Sequence, residues 1–300
     1  MRSRLLSLQR QPWHTPAMHT SEALGPLDPL QRLLYCDDFN TGINGWGSLI
    51  GNYEDRVDAM LPEYMDMRPP MLSNLSMWDA GTSGAIGGSY GLKLATRPKP
   101  GRFCVAIKRS TFRSWGPLRV EAIYTFKPEA AALELGETGV RAFGVLLDLQ
   151  HADDQAAEPL RVMPHVRYLN AMEGERVERW QYKSEREPFV DIGTRNKTWS
   201  HFHLKSTNWA DIPRGDQRLC YNEIATKHNW YYLRLDFDLA TMNFLGFRSN
   251  ERDLDVSSIE PMRIPAMPNL WSMLNVVFFV ESDADTRAFF YLDRVAVSTT

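Results

Sequence analysis

The sequence predicts an all-β chain folded as a two-sheet antiparallel sandwich. From residue 33 onward, short runs rich in β-branched and aromatic residues recur with turn residues between them, and no segment sustains a helical period. The runs span 92–95, 103–108, 118–126, 142–150, 162–170, 177–183, 230–239, 243–248, 274–281 and 288–298. Runs this numerous, with no helical segments alternating between them, favour packed sheets over an α/β layout. Nine Trp, eleven Tyr and fourteen Phe suit the space between two sheets, where large rings fill the core.

The elements follow in chain order. Residues 1–32 read as an irregular leader packed on the domain, and 33–300 as one sandwich domain, since no repeat, low-complexity tract or linker interrupts them. Residues 1–31 lack the apolar core of a signal peptide, and no run of eighteen apolar residues exists to span a bilayer. A cytoplasmic protein is therefore expected. The glycine-rich stretch 81–91 reads as a loop, because neither a P-loop ending nor dinucleotide-binding spacing accompanies it. Residues 129–138 contain an alanine run that suits one short helix. Cys36, Cys104 and Cys220 are widely spaced and form no zinc or redox motif, so reduced thiols are expected. A net charge of -3 leaves no basic excess with which to hold nucleic acid.

Strand side chains alternate between faces, which splits each run into a core set and an outer set. The core sets are Leu118, Val120, Ala122, Tyr124 and Phe126; then Phe143, Val145, Leu147 and Leu149; then Val166 and Tyr168; then Trp180 and Tyr182. The outer sets carry the polar chemistry: Glu121, Asp148, Gln150, His165, Arg167 and Gln181. A solvated sheet face presents the same alternation, so the pattern admits both a site and an ordinary surface. His201 and His203 sit two apart, a spacing that points both rings to one face and suits a metal if a third ligand joins them.

Two segments carry a family resemblance. The chain opens on Tyr35-Cys36-Asp37-Asp38-Phe39-Asn40-Thr41-Gly42 followed by Trp46, and closes on Tyr291-Leu292-Asp293-Arg294-Val295-Ala296-Val297. A strand, Asp-Asp-Phe, turn, Trp opening and a Tyr-x-Asp-x-Val-x-Val closing strand resemble the concanavalin A-like lectin and glucanase jelly rolls. Among them, uncharacterised bacterial members look most similar. The resemblance implies that the first and last strands lie together in one sheet, and that a saccharide binds in a polar groove on the concave outer face of one sheet. It implies a carbohydrate-active protein, a glycoside hydrolase or a lyase acting on short oligosaccharides. The alternatives are a lectin-like binding module and a structural sandwich that forms a homo-oligomer. Glu121, Asp148 and His165 are then the candidate catalytic residues. Gln150, Arg167, Gln181, His203, Tyr221 and Glu223 are the candidate substrate-binding residues. The glucanase Glu-x-Asp-x-x-Glu strand motif is missing, and the candidate carboxylates lie in different runs. The resemblance further implies a structural Ca²⁺ near Asp38 and Asp293, since oxygen ligands from carboxylates and backbone suffice for that ion.

Overall fold

The computed structural model describes residues 24–48, 68–73, 85–86, 88–113, 115–129, 138–151, 160–185, 207–221, 229–267 and 269–300. The strands are β1 (Arg32–Asp37), β2 (Met71–Leu72), β3 (Leu92–Ala95), β4 (Phe103–Ser110), β5 (Pro117–Pro128), β6 (Val140–His151), β7 (Leu160–Met163), β8 (His165–Met172), β9 (Glu175–Lys183), β10 (Trp209–Asp216), β11 (Tyr231–Asp238), β12 (Asn243–Ser249), β13 (Arg252–Leu254), β14 (Met262–Ile264), β15 (Ser272–Ser282) and β16 (Ala288–Thr299). The first sheet has the order β13-β12-β11-β5-β16-β3-β2, with β1 also paired to β16. The second has the order β10-β9-β8-β6-β15-β4, with β7 and β14 joined beside β6. Every strand pairing is antiparallel. This is a two-sheet antiparallel jelly-roll sandwich, with the opening and closing strands paired from Arg32↔Thr299 to Asp37↔Val295.

The alternation assigned every core set to the correct face. Leu118 to Phe126, Phe143 to Leu149, Val166, Tyr168 and Trp180 all enter one buried cluster between the sheets, with Tyr182 packed at its margin. Rings interlock there: Phe126 and Phe143 lie 4.5 Å apart, and Trp180 meets Phe247 edge-on at 4.7 Å. Run 162–170 is two strands rather than one, because Pro164 supplies no N–H and interrupts the ladder between β7 and β8. Its carbonyl still accepts from Leu147 N–H at 3.2 Å, which keeps both strands against β6.

The opening motif is a packed corner. Asp37 Oδ2 accepts from the Trp46 indole at 2.9 Å and from Lys108 at 2.6 Å. Phe39 and Trp46 are core residues, and Asp38 Oδ1 caps the turn through Asn40 N–H at 3.1 Å. Downstream of residue 23 the leader lies on the outer face of the first sheet. Leu24 and Leu27 pack there with Ile123 and Ala296, Asp28 N–H donates to Glu121, and Leu30 N–H donates to Ser298. Gly25, with φ at +52°, passes directly over the Arg294 guanidinium, where a Cβ would overlap Nη1. The short helix expected within 129–138 lies largely outside the described residues. Cys36, Cys104 and Cys220 are free thiols.

Candidate functional site

The outer face of the second sheet gathers most of the polar residues that alternation turned away from the core. β6 contributes Asp148 and Gln150, β8 contributes His165 and Arg167, β9 contributes Gln181 and Lys183, β10 contributes Trp209 and Asp211, and β15 contributes Asn275 and Glu281. Register places Arg167 beside Gln181, and Gln181 beside Asp211. The side chains use that adjacency. Arg167 Nε donates to Gln181 Oε1 at 2.9 Å, and Gln181 Nε2 donates to Asp211 Oδ1 at 2.7 Å. Arg179 closes the row on Asp211 Oδ2 at 2.6 Å. The Arg167 guanidinium stacks 4.3 Å from the Trp209 ring centre, and Lys183 lies 5.4 Å from the same ring. Gln181 thus fixes both neighbours, because an amide offers an acceptor to one side and a donor to the other.

Gly144 makes this row possible. A Cβ there would lie 2.2 Å from the Val166 carbonyl oxygen and 2.7 Å from Arg167 Cα, so β6 and β8 approach closely only with glycine.

Glu281 stands at the other side of Arg167. Its carboxylate accepts from Arg141 Nη1 at 3.3 Å, while Arg141 Nε holds Asp283 at 2.7 Å. Burial pushes the Glu281 carboxyl up from 4.5 to about 7, outweighing the opposing pull of Arg141 and Arg167. Burial likewise brings the Arg167 guanidinium down to about 10. Asp211 is exposed and behaves oppositely. A burial penalty is outweighed there by hydrogen bonds from Gln181 and Arg179, so its carboxyl falls below the ordinary value. One face therefore holds a carboxyl that titrates near neutrality and another whose ionised form is favoured.

The Glu281 shift makes a stability prediction. The folded chain binds the proton more tightly than the unfolded chain does. Its contribution is complete below pH 4.5 and is lost as pH rises through about 7. Glu281→Gln is expected to remove that step, about 3 kcal/mol between acid and neutral pH. Urea titrations of both proteins from pH 4 to pH 8 check it. Parallel pH profiles would show that Glu281 carries no such shift.

The remaining sequence-predicted residues divide. Arg167 and Gln181 lie together as described. Asp148 shares their face, and Arg161 grips both its oxygens, at 2.9 and 2.8 Å, in a buried pair. Gln150 is fully buried and ties down the 267–270 segment through Met267 N–H and the Met267 and Leu270 carbonyls. His165 is 2% exposed opposite Leu146. Glu121 belongs elsewhere: β5 pairs with β11 and β16, so this residue faces outward from the first sheet. There it is covered by the leader and accepts from Asp28 N–H at 2.9 Å and Tyr232 at 2.7 Å. Tyr221 packs edge-on against Phe126 at the core margin rather than facing a groove. His201, His203 and Glu223 lie outside the described residues.

The residues expected near a calcium ion are both engaged within the protein. Asp293 accepts from Ile86 N–H at 2.6 Å and from Arg294 Nε at 2.7 Å. Asp38 is engaged in its own turn. Among the described residues no three His, Cys, Asp or Glu side chains group as metal ligands.

Sequence reasoning missed Glu281, Asp211, Arg141 and Trp209. Glu281 was within reach. In run 274–281 the residues Leu274, Val276, Phe278 and Val280 are core, so Glu281 ends the outer set. Trp209 and Asp211 lie on a strand containing Pro213 and Gly215, residues that argue against a strand reading.

A family model described as Domain of unknown function (DUF6772) matches residues 15–300. The chain belongs to that family. No curated protein matches it. Among solved structures, a DUF6772 chain of this kind is similar to an immunostimulatory antigen and pseudo beta-1,3-glucanase of Mycobacterium tuberculosis, at 11% identity and TM-score 0.40 over 89% of this chain and 99% of that one. It is similar to a beta-glucanase of Bacillus licheniformis at 10% identity and TM-score 0.34, over 89% and 98% of the two chains. An alginate lyase solved with an alginate trisaccharide is similar at 8% identity and TM-score 0.38, over 85% and 98%. Among the described residues no helix is long and apolar enough to cross a membrane.

Proposed function

We propose that this DUF6772 protein is a saccharide-active enzyme whose site is the outer face of the second sheet. The observation that carries the reading is Glu281, a buried carboxyl that titrates at about 7, on one face with Arg167, Gln181 and Trp209. A carboxyl of that kind can protonate the leaving oxygen in glycosidic bond cleavage. Trp209 supplies a half-buried ring beside guanidinium and amide donors, the mixture that recognises a hydroxylated ring. Glu281 is 2% exposed, so proton transfer requires an entering substrate to displace side chains of this face. In this reading Glu281 is the acid, Arg167, Gln181 and Trp209 position the sugar, and Asp211 holds Gln181 in place.

The test is product formation from a panel of neutral and uronate oligosaccharides. Turnover of at least one is expected, falling as pH rises above about 7 with deprotonation of Glu281. Glu281→Gln is expected to keep substrate binding while losing about 100-fold or more in kcat. Wild-type turnover in Glu281→Gln would reject the acid role. Saturable binding without any product would identify a lectin-like module instead.

A further inference from the structure

The outer face of the first sheet carries a separate cavity of about 550 Å³, within the size range of sites for small organic ligands. Its walls include Ile86, Ile123, Trp230 and Tyr232, and its polar lining includes Asn250 and Glu251. Nothing in the proposed chemistry of the second sheet uses it. The polar pair is held in place by the fold. Asn250 and Glu251 form the two-residue tip between β12 and β13, with Asn250 in the left-handed region at φ +53°. Asn250 is locked against β11 in both directions. Its N–H donates to the Tyr232 carbonyl at 2.9 Å, and its Oδ1 accepts from Tyr232 N–H at 2.9 Å. With Oδ1 committed, the side-chain NH₂ is the half of the amide left to meet a ligand. Tyr232 is anchored too, since its hydroxyl donates to buried Glu121 at 2.7 Å.

Apolar walls with two aromatic side chains, a rigid amide donor and a carboxylate acceptor suit a ring that has one apolar face and a hydroxylated edge. Among the described residues no Lys or Arg lines the cavity, and Glu251 stands at its polar end. This charge disfavours phosphates and acidic sugars. We infer that this cavity is a second binding site, on the sheet opposite the proposed active face, for a neutral sugar residue. The inference does not depend on the activity proposed for the other face.

The test uses the full chain and four neutral trisaccharides, cellotriose, laminaritriose, maltotriose and mannotriose, with binding measured by titration calorimetry. Asn250→Asp keeps the acceptor to Tyr232 N–H and tolerates the left-handed backbone, but turns the donor into a second acceptor. Affinity for at least one trisaccharide is expected to fall tenfold or more in Asn250→Asp and to persist in Trp209→Ala. Trp230→Ala risks the packing with Phe289 and Tyr291, so exposed Glu251→Lys serves as the second variant and is expected to weaken the same trisaccharide. The inference is overturned if no trisaccharide loses affinity in Asn250→Asp and Glu251→Lys, or if all trisaccharide binding disappears in Trp209→Ala.

Discussion

Gly144→Val is expected to destabilise the protein by about 3 kcal/mol or more, the upper end for forcing atoms into a packed interior. The obstruction is backbone. The first added carbon would meet the Val166 carbonyl oxygen at 2.2 Å and Arg167 Cα at 2.7 Å, and neither atom moves without parting β6 from β8. A flexible side chain would yield, but a strand in a ladder yields only with its hydrogen bonds. Gly246→Ala is the control. It also lies in a strand, β12, but nothing stands within 4 Å of its Cβ, so a change within about 0.5 kcal/mol is expected. Urea unfolding of the two variants separates a general intolerance of side chains at strand glycines from the specific close approach at Gly144. Equal losses would remove the steric explanation. Because Gly144 lies across from Arg167, the destabilised variant is also expected to lose the Arg167–Gln181–Asp211 row.

Arg161→Leu is expected to cost about 3–5 kcal/mol, the usual effect of stranding one member of a buried ion pair. Asp148 is 9% exposed, and both its oxygens depend on Arg161. Removing both partners in Asp148→Leu/Arg161→Leu takes away the stranded charge, so most of the loss is expected to return. The cycle of two single variants and the double, read by chemical denaturation, measures the coupling directly. It also separates two roles for Asp148. A structural pair recovers in the double variant, whereas a catalytic carboxylate would lose turnover in every variant that lacks it, including a stable one. Near-additive losses in the cycle would show that the pair contributes no coupling.

The proposed site was partly legible. Arg167 and Gln181 were found on the outer face because their neighbours Val166, Tyr168, Trp180 and Tyr182 are visibly apolar and alternate with them. Asp148 was found by the same pattern, but its ion pair was not. Its partner Arg161 lies across a segment and is brought beside it only by the pairing Gln150↔Arg161. Glu121 shows the opposite failure. Its face was right and its sheet was wrong, because run 118–126 joins runs 230–239 and 288–298 rather than run 142–150. The cavity between Tyr232 and the Asn250 tip had no local signal, since its walls come from three distant parts of the chain.

What the sequence by itself determined is therefore local: where most of the longer strands run, which face of each is apolar, and that the first and last strands resemble those of one jelly-roll sheet. These follow from a side-chain period of two and from the chemistry of a few consecutive residues. Tertiary structure alone decided which sheet each strand joined, which carboxylates met arginines, and how far each was buried. Strand partners are chosen by non-local pairing, and a carboxyl's proton affinity is set by the groups and the loss of water around it. Glu281 is an unremarkable strand-end acid in the sequence. Burial among Phe103, Ala142 and Arg141 moves its titration up to about 7.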